Sequence, residues 1–117
     1  MKYDLEGRTK KFSKEIIVFL KRIKKSDLNR SLISQLVRSA TSVGANYCEA
    51  NGASSKKDFR NKIFICRKEI QETLYWIELL AESNPEEKET LKGLWKETKE
   101  LILIFNKIAT SLKGKTH

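Results

Sequence analysis

The sequence has little of what interrupts helices: it contains one proline, Pro85, and five glycines among 117 residues. Because both residue types break or end helices, their scarcity predicts a few long ones. Long apolar runs are also missing. The longest are IIVFL (16–20) and LILIF (101–105), whereas a membrane-spanning helix needs about 20 apolar residues. The N-terminus lacks an apolar stretch of the signal-peptide type. We therefore expect a soluble, cytoplasmic protein with no membrane partner.

Cysteine and histidine are equally scarce. The two cysteines are too few for a disulfide scaffold or a zinc site, and the one histidine is the last residue, His117. The Glu-x-x-His pairs of a four-helix di-iron site are absent as well. We expect no metal, no cofactor and no enzymatic activity. Cys48 and Cys66 are predicted to lie about 12 Å apart along the bundle, too far for a disulfide, and we interpret both as small core thiols.

Apolar residues recur at alternating spacings of three and four in four segments, which is the pattern of helical faces. Helices are predicted over about residues 7–24, 29–51, 55–83 and 85–112. Ser26, Asp27 and Asn29 are alternative caps for the second helix, and Ser55 and Asn84 are expected to cap the third and fourth. Since the connections are short, the predicted fold is all-α: one domain over 1–117, an antiparallel up-down-up-down four-helix bundle.

Three of these helices carry more apolar residues than one buried face requires. A helix that is apolar on several sides is expected to be buried on several sides, and a small bundle has little interior to offer. We therefore predict a homo-oligomer whose interfaces bury these second faces. The residues concerned are Ile17, Val18, Leu20, Ile65, Trp76, Leu79, Trp95, Ile102 and Ile104.

The stretch RSATSVGANYCEA (38–50) combines small residues with isolated polar ones. If the second and third helices form a hairpin that turns near Ala53, Arg38 lies level with Glu69, and the small residues let the third helix approach closely. A catalytic carboxylate cluster of Glu49, Glu69 and Glu72 is one interpretation, but it lacks a nucleophile with its base. We favour a structural polar network made of Gln35, Arg38, Asn46, Glu49, Glu69 and Glu72.

The net charge of +9 is unevenly distributed, because residues 1–30 hold ten Lys/Arg and four Asp/Glu. The phosphate backbone of a nucleic acid is attracted to such a positive field whatever its base sequence. A Lys-rich face also serves simply to keep a helical protein soluble. We expect the first helix and the start of the third to form a nucleic-acid-binding surface from Lys10, Lys11, Lys14, Lys21, Arg22, Lys24, Lys25, Lys56, Lys57 and Arg60.

Four segments carry a family resemblance: DLEGRTKKF, QLVRSATSVGANYCEA, SSKKDFRNKI and KEIQETLYWIELL. They resemble the bacterial 23S rRNA intervening-sequence proteins, and the QLxRSxxSxxANxxEA pattern is the most specific part of the match. The KKSD connection departs from this family, in which a proline is expected there in many relatives.

The resemblance implies an up-down bundle that assembles as a ring-like homopentamer without established enzymatic activity. Some relatives are encoded within insertions in 23S rRNA genes. A related bundle is the accessory protein of diversity-generating retroelements, which works with a reverse transcriptase. The expected function is thus a basic, oligomeric nucleic-acid-binding (RNA or DNA) or scaffold protein. The alternative is a protein-interaction adaptor, for instance to a reverse transcriptase.

Overall fold

The computed structural model describes residues 4–113, which form four α-helices and one short 3-10 turn and contain no strand. Helix α1 spans Leu5–Lys21, α2 spans Asp27–Asn51, α3 spans Lys56–Ser83 and α4 spans Lys88–Lys113, with the 3-10 turn Pro85–Glu87 immediately before α4. The predicted all-α class and the four helices are confirmed. The largest errors in a boundary are three residues: α1 ends three residues earlier than predicted, and α4 begins three residues later, after the 3-10 turn.

Contacts between neighbouring helices set their order around the bundle. The Ser13 hydroxyl of α1 donates to Ala40 of α2, α2 and α3 pack side by side over most of their length, and the Trp95 indole of α4 donates to Glu78 of α3. Arg8 of α1 bonds to Glu97 of α4, and Arg22, which follows the last residue of α1, bonds to Thr90 of α4, so the bundle is closed. Around this square, α1 lies diagonally opposite α3. The molecule measures 48 × 24 × 22 Å.

The two ends of the bundle differ in which helix termini they gather. At one end, which we call the Ala53 end, α1 and α3 begin and α2 and α4 finish, and Asn51 of α2 donates to Glu6 of α1. The opposite end, which we call the Asn84 end, holds the connections 22–26 and 84–87. There Asn29 and Asn84 exchange amide hydrogen bonds of 2.9 and 3.0 Å.

Two of the helix caps predicted from the sequence are present, and a third is not. The Ser26 hydroxyl accepts from Asn29 at the start of α2, and the Ser55 hydroxyl accepts from Asp58 at the start of α3. Asn84 was expected to cap the fourth helix, but its side chain forms no cap bond. Its amide is buried instead against Asn29, Ser83 and the carbonyl of Leu80.

Most of the predicted second apolar faces are used inside the bundle. Leu20 is buried in the core, and four of the nine residues are half-buried against the core: Trp76, Trp95, Ile102 and Ile104. Ile65 is half-buried as well. Only Ile17, Val18 and Leu79 are exposed. The expectation overestimated the exposed apolar surface because the flanks of each helix, as well as its central stripe, pack against neighbours. No helix of residues 4–113 is both long and apolar enough to span a bilayer.

Candidate functional site

Arg38 lies at the seam between α2 and α3 and connects to both carboxylates that the sequence assigned to it. Its Nη1 donates to Glu69 at 3.1 Å, its Nη2 to Glu72, and its Nε to Gln35 of the preceding turn at 3.1 Å. Glu69 is nearly buried, whereas the Arg38 side chain is 47% exposed. Glu72 also accepts from the Trp76 indole at 3.0 Å. The predicted pairing of Arg38 across the seam is therefore confirmed.

The other two residues assigned to this network do not join it. Asn46 donates to the hydroxyl and the carbonyl of Ser42 on its own helix, at 3.0 and 2.8 Å. Glu49 pairs with Lys62 of α3 at 2.8 Å, and this bond raises the pKa of the lysine. The single network predicted from the sequence was wrong in this respect, because each of these side chains meets a nearer partner first. Glu49 instead crosses the seam in a separate ion pair, and Asn46 bonds within α2.

Small residues of the 38–50 stretch serve two different seams. Ser39 is fully buried against α3, where the Thr73 hydroxyl donates to it at 3.0 Å. Gly44 faces α1, since a Cβ added there would meet Thr9 at 3.5 Å. The expectation that these residues let α3 approach is correct for Ser39 but wrong for Gly44, because successive helical positions point toward different neighbours.

The two cysteines have different surroundings. Cys66 is fully buried, donates its thiol to the carbonyl of Val43 at 3.4 Å, and has its pKa raised to about 12 by burial. Cys48 is exposed, so the prediction of two core thiols is wrong for Cys48, which points away from the seam.

The polar side chains of the seam are paired with one another. Every buried side-chain nitrogen and oxygen atom of the described residues has a hydrogen-bond partner. Within residues 4–113 there is no group of three His, Cys, Asp or Glu arranged to hold a metal ion. Paired and satisfied charges of this kind hold two helices in register. We therefore interpret the Arg38 cluster as part of the architecture and look to the surface for function.

Two of the ten predicted phosphate-binding cations are engaged within the chain. The Lys25 ammonium lies beyond the end of α1 and donates to the carbonyls of Leu20 and Ile23 at 2.9 and 2.6 Å, so it caps that helix. Arg22 pairs with Glu87 and also donates to Thr90. The other eight form no ion pair with the described residues: Lys10, Lys11, Lys14, Lys21, Lys24, Lys56, Lys57 and Arg60.

Five of these eight cations lie at the two ends of the bundle, and Lys10, Lys11 and Lys14 lie along α1. Lys21 and Lys24 lie at the Asn84 end, whereas the three cations of α3 lie at the Ala53 end. There a cleft of about 680 Å³ opens between the α2–α3 connection and the last turns of α4. We call it the basic cleft; its lining is Ala53, Ser54, Ser55, Lys56, Phe59, Arg60 and Leu112. Cations, hydroxyls and one aromatic ring thus share a concave surface.

The chain matches a family model along most of its length. The model of the 23S rRNA-intervening sequence protein covers residues 2–107. The chain belongs to this family. Of the signature residues between Gln35 and Ala50, Leu36, Ser39 and Ala50 are buried in the bundle. Arg38 and Glu49 are exposed and form ion pairs with α3. In this member of the 23S rRNA-intervening sequence proteins, the most specific part of the sequence therefore corresponds to helix packing.

A crystal structure shares the fold of this 23S rRNA-intervening sequence protein. It is that of a protein with unknown function from the S23 ribosomal protein family from Bacteroides thetaiotaomicron VPI-5482, with 31% sequence identity and a TM-score of 0.80. The match covers 89% of this chain and 96% of that one. No curated protein matched the chain. The similarity supports the four-helix architecture along most of the chain and leaves the activity open.

Sequence reasoning missed several residues that the fold brings together. Arg8 donates to Glu97 at 2.8 Å and to Glu100 at 2.7 Å, and these bonds raise the pKa of its guanidinium. Phe59 and Leu112 both line the basic cleft, although their spacing in the sequence marks them only as apolar positions of a helix face. Such partners lie far apart in the sequence, and no local pattern marks them.

Proposed function

We propose that this protein binds the phosphate backbone of single-stranded nucleic acid, RNA or DNA, in the basic cleft at the Ala53 end. One observation carries the proposal: unpaired cations and an aromatic ring line one concave surface. Single-strand binders combine a positive groove for the backbone with aromatic rings on which bases stack. Lys56 and Arg60 supply the charge, and Lys57 lies beside them.

Neighbouring groups add to the positive potential of the cleft. Lys10 and Lys11 lie within two turns of the start of α1, at the same end of the bundle. Lys107 lies on the last part of α4, near this end. The hydroxyls of Ser54 and Ser55 are donors suited to phosphate oxygens, although Ser55 also caps α3. None of these contacts reads a base edge, so we expect affinity with little dependence on sequence.

Salt dependence tests this proposal. The parent should bind a fluorescent single-stranded RNA or DNA oligonucleotide with log affinity falling linearly against log salt, by about 0.7 per phosphate contact. The variant Lys56→Gln/Lys57→Gln/Arg60→Gln should bind more weakly at low salt, with a slope shallower by about 2. The matched control Lys88→Gln/Lys92→Gln/Lys96→Gln removes the same charge from the exposed surface of α4 and should keep the slope of the parent.

Two outcomes would overturn the cleft proposal. If the cleft variant and the control lose affinity equally, only net charge matters and the cleft is not a site. If the parent does not bind at low salt, nucleic-acid binding falls and a protein-interaction adaptor takes its place. The exposed Tyr75 and Leu79 favour that second candidate, because apolar side chains at a surface suit protein contact.

A further inference from the structure

A second concave surface lies beside the basic cleft, and it exists because α4 extends beyond the start of α1. Arg8 of α1 bonds to Glu97 and Glu100 of α4, which places the start of α1 level with about residue 102 of α4. From that level α4 continues to Lys113, about 16 Å further along the bundle. The last turns of α4 are therefore left uncovered by α1.

The uncovered side of α4 is apolar and concave. A cavity of about 590 Å³ is lined there by Ile104, Ile108 and Leu112 of α4, with Leu5 and Tyr47 from the first two helices. We call this cavity the apolar groove. The three α4 side chains are only half-buried, so a ligand that covers them removes apolar surface from water. The volume is that of a site for a small molecule or for one unit of a larger one.

The polar groups around the apolar groove suit an anionic ligand. Lys107 and Ser111 also line it, and Lys107 makes no ion pair in the described part of the chain. Among the described residues, no Asp or Glu lines either this groove or the basic cleft. By contrast, Glu15 and Glu97 line the cavity between α1 and α4, and Glu6 lines one between α1 and α2. The groove therefore fits a ligand with an apolar body and hydrogen-bond acceptors at its edge.

The apolar groove and the basic cleft are continuous. Leu112 lines both of them, so one chain-like molecule can occupy the two together. Lys56 and Arg60 of the cleft suit phosphate groups, whereas the groove suits apolar surface. A nucleotide of a single strand offers both, because its backbone is charged and its base has apolar faces and a polar edge. An alkyl chain would offer no acceptor to Lys107 or Ser111, whereas the edge of a base does.

We infer that the apolar groove receives an unstacked base of the single strand whose phosphates lie in the basic cleft, an inference that rests on the proposed function. The ligand is then a strand with unpaired bases. A base in a duplex has to give up both stacking and pairing before it can enter such a pocket. We therefore expect a single strand to bind more tightly than a duplex of the same length, although the duplex carries more charge.

A strand without bases tests the inference. The probes are a fluorescent single-stranded DNA oligonucleotide and an abasic oligomer of the same length, which keeps every phosphate. The parent should bind the intact strand about a hundredfold more tightly, about tenfold from a base on Phe59 of the cleft and about tenfold from a base in the groove. Leu103→Glu puts a carboxylate at the groove, which Leu103 lines, and should make this preference about tenfold smaller. Because Leu103 is 68% exposed, the variant should fold, which circular dichroism checks.

Two further variants separate the groove from the cleft. Thr110→Glu is the matched control, because Thr110 is exposed on the same part of α4 and lines neither cavity; it should keep the preference of the parent. The cleft variant Lys56→Gln/Lys57→Gln/Arg60→Gln should weaken the binding of both strands by a similar factor, since it removes phosphate contacts.

The possible failures are distinguishable. If Leu103→Glu keeps the preference of the parent while the cleft variant still loses affinity, no base enters the groove and the proposed function stands. The inference is also overturned if Leu103→Glu and Thr110→Glu reduce the preference equally, or if the duplex binds more tightly than the single strand. If the parent binds neither strand at low salt, the proposed function and the inference fall together.

Discussion

Two seams of the bundle are held together by different means. Between α2 and α3, small side chains let the helices pack closely, and hydrogen bonds are made inside the seam, as between Ser39 and Thr73. Between α1 and α4 the backbones stay further apart, and long arginine side chains cross the gap from Arg8 and Arg22. A cavity of about 530 Å³ remains between these two helices. The signature of the family lies mainly in the first seam, and the second relies on surface ion pairs.

This contrast teaches that the two seams should respond differently to the same kind of change. A larger side chain lowers the stability of the fold where packing is close and has little effect where space remains. Removing a charge lowers the free energy of unfolding strongly where its partner stays buried, and only slightly where water can hydrate the partner.

Filling the α2–α3 seam should cause the largest loss. Ser39 is fully buried, so Ser39→Leu has to push α3 away and should lower the free energy of unfolding by about 3 kcal/mol. Ser34→Leu, on the exposed surface of the same helix, should change it by less than about 0.5 kcal/mol. Urea unfolding followed by circular dichroism compares the two. Equal changes in the free energy of unfolding would show that the seam can accommodate a larger side chain.

Arginine truncation compares the polar contacts of the two seams. Arg38→Ala leaves Glu69 nearly buried without its cation, and should cost about 2 kcal/mol, less than for a fully buried pair because Arg38 itself is half-exposed. Arg8→Ala releases Glu97 and Glu100, both better hydrated, and should cost about 1 kcal/mol or less. Thermal unfolding measures both losses. A larger loss for Arg8→Ala would reverse the ranking of the seams.

The buried thiol of Cys66 should make the stability of the α2–α3 seam depend on pH. Burial raises its pKa from 9.0 to about 12, so the folded state keeps the thiol protonated while the unfolded state loses the proton. The contribution of the buried thiol to the free energy of unfolding is complete below pH 9. It falls by about 1.4 kcal/mol per pH unit as the pH rises toward 12. Chemical unfolding of the parent and of Cys66→Ala over this range should show a steeper decline for the parent. Parallel curves would contradict the assignment.

Space at the α1–α4 seam should make a substitution favourable. Gly93 is exposed within α4, and a Cβ added there would meet nothing within 4 Å. Gly93→Ala should therefore stabilise the chain by about 1 kcal/mol through helix propensity alone. Differential scanning calorimetry should show a higher melting temperature, and a lower one would mean that something approaches Gly93 closely.

The sequence was sufficient for most of the fold, because the four helices and their order follow from apolar periodicity and short connections. Arg38 could be paired with Glu69 and Glu72 by counting residues from the hairpin turn. The partners of Asn46 and Glu49 could not be identified by such counting, because several polar groups lie within reach of each flexible side chain. Asn29 was considered only as a helix cap, yet it forms a buried pair with Asn84 across the bundle.

Surface function was harder to predict than the fold for a physical reason. Composition showed an excess of positive charge near the N-terminus, but not which cations are already engaged, as Lys25 is with helix carbonyls. The basic cleft exists only because the α2–α3 connection and the end of α4 meet.

The residues around Arg38 hold α2 to α3, and we propose that nucleic acid binds elsewhere, in the basic cleft. The most direct test is the affinity of Arg38→Ala for single-stranded RNA, measured at low salt and at a temperature where both variant and parent are folded. We predict an unchanged affinity together with a lower melting temperature. A clear loss of affinity in a variant that melts like the parent would contradict this, and would make the signature a binding site.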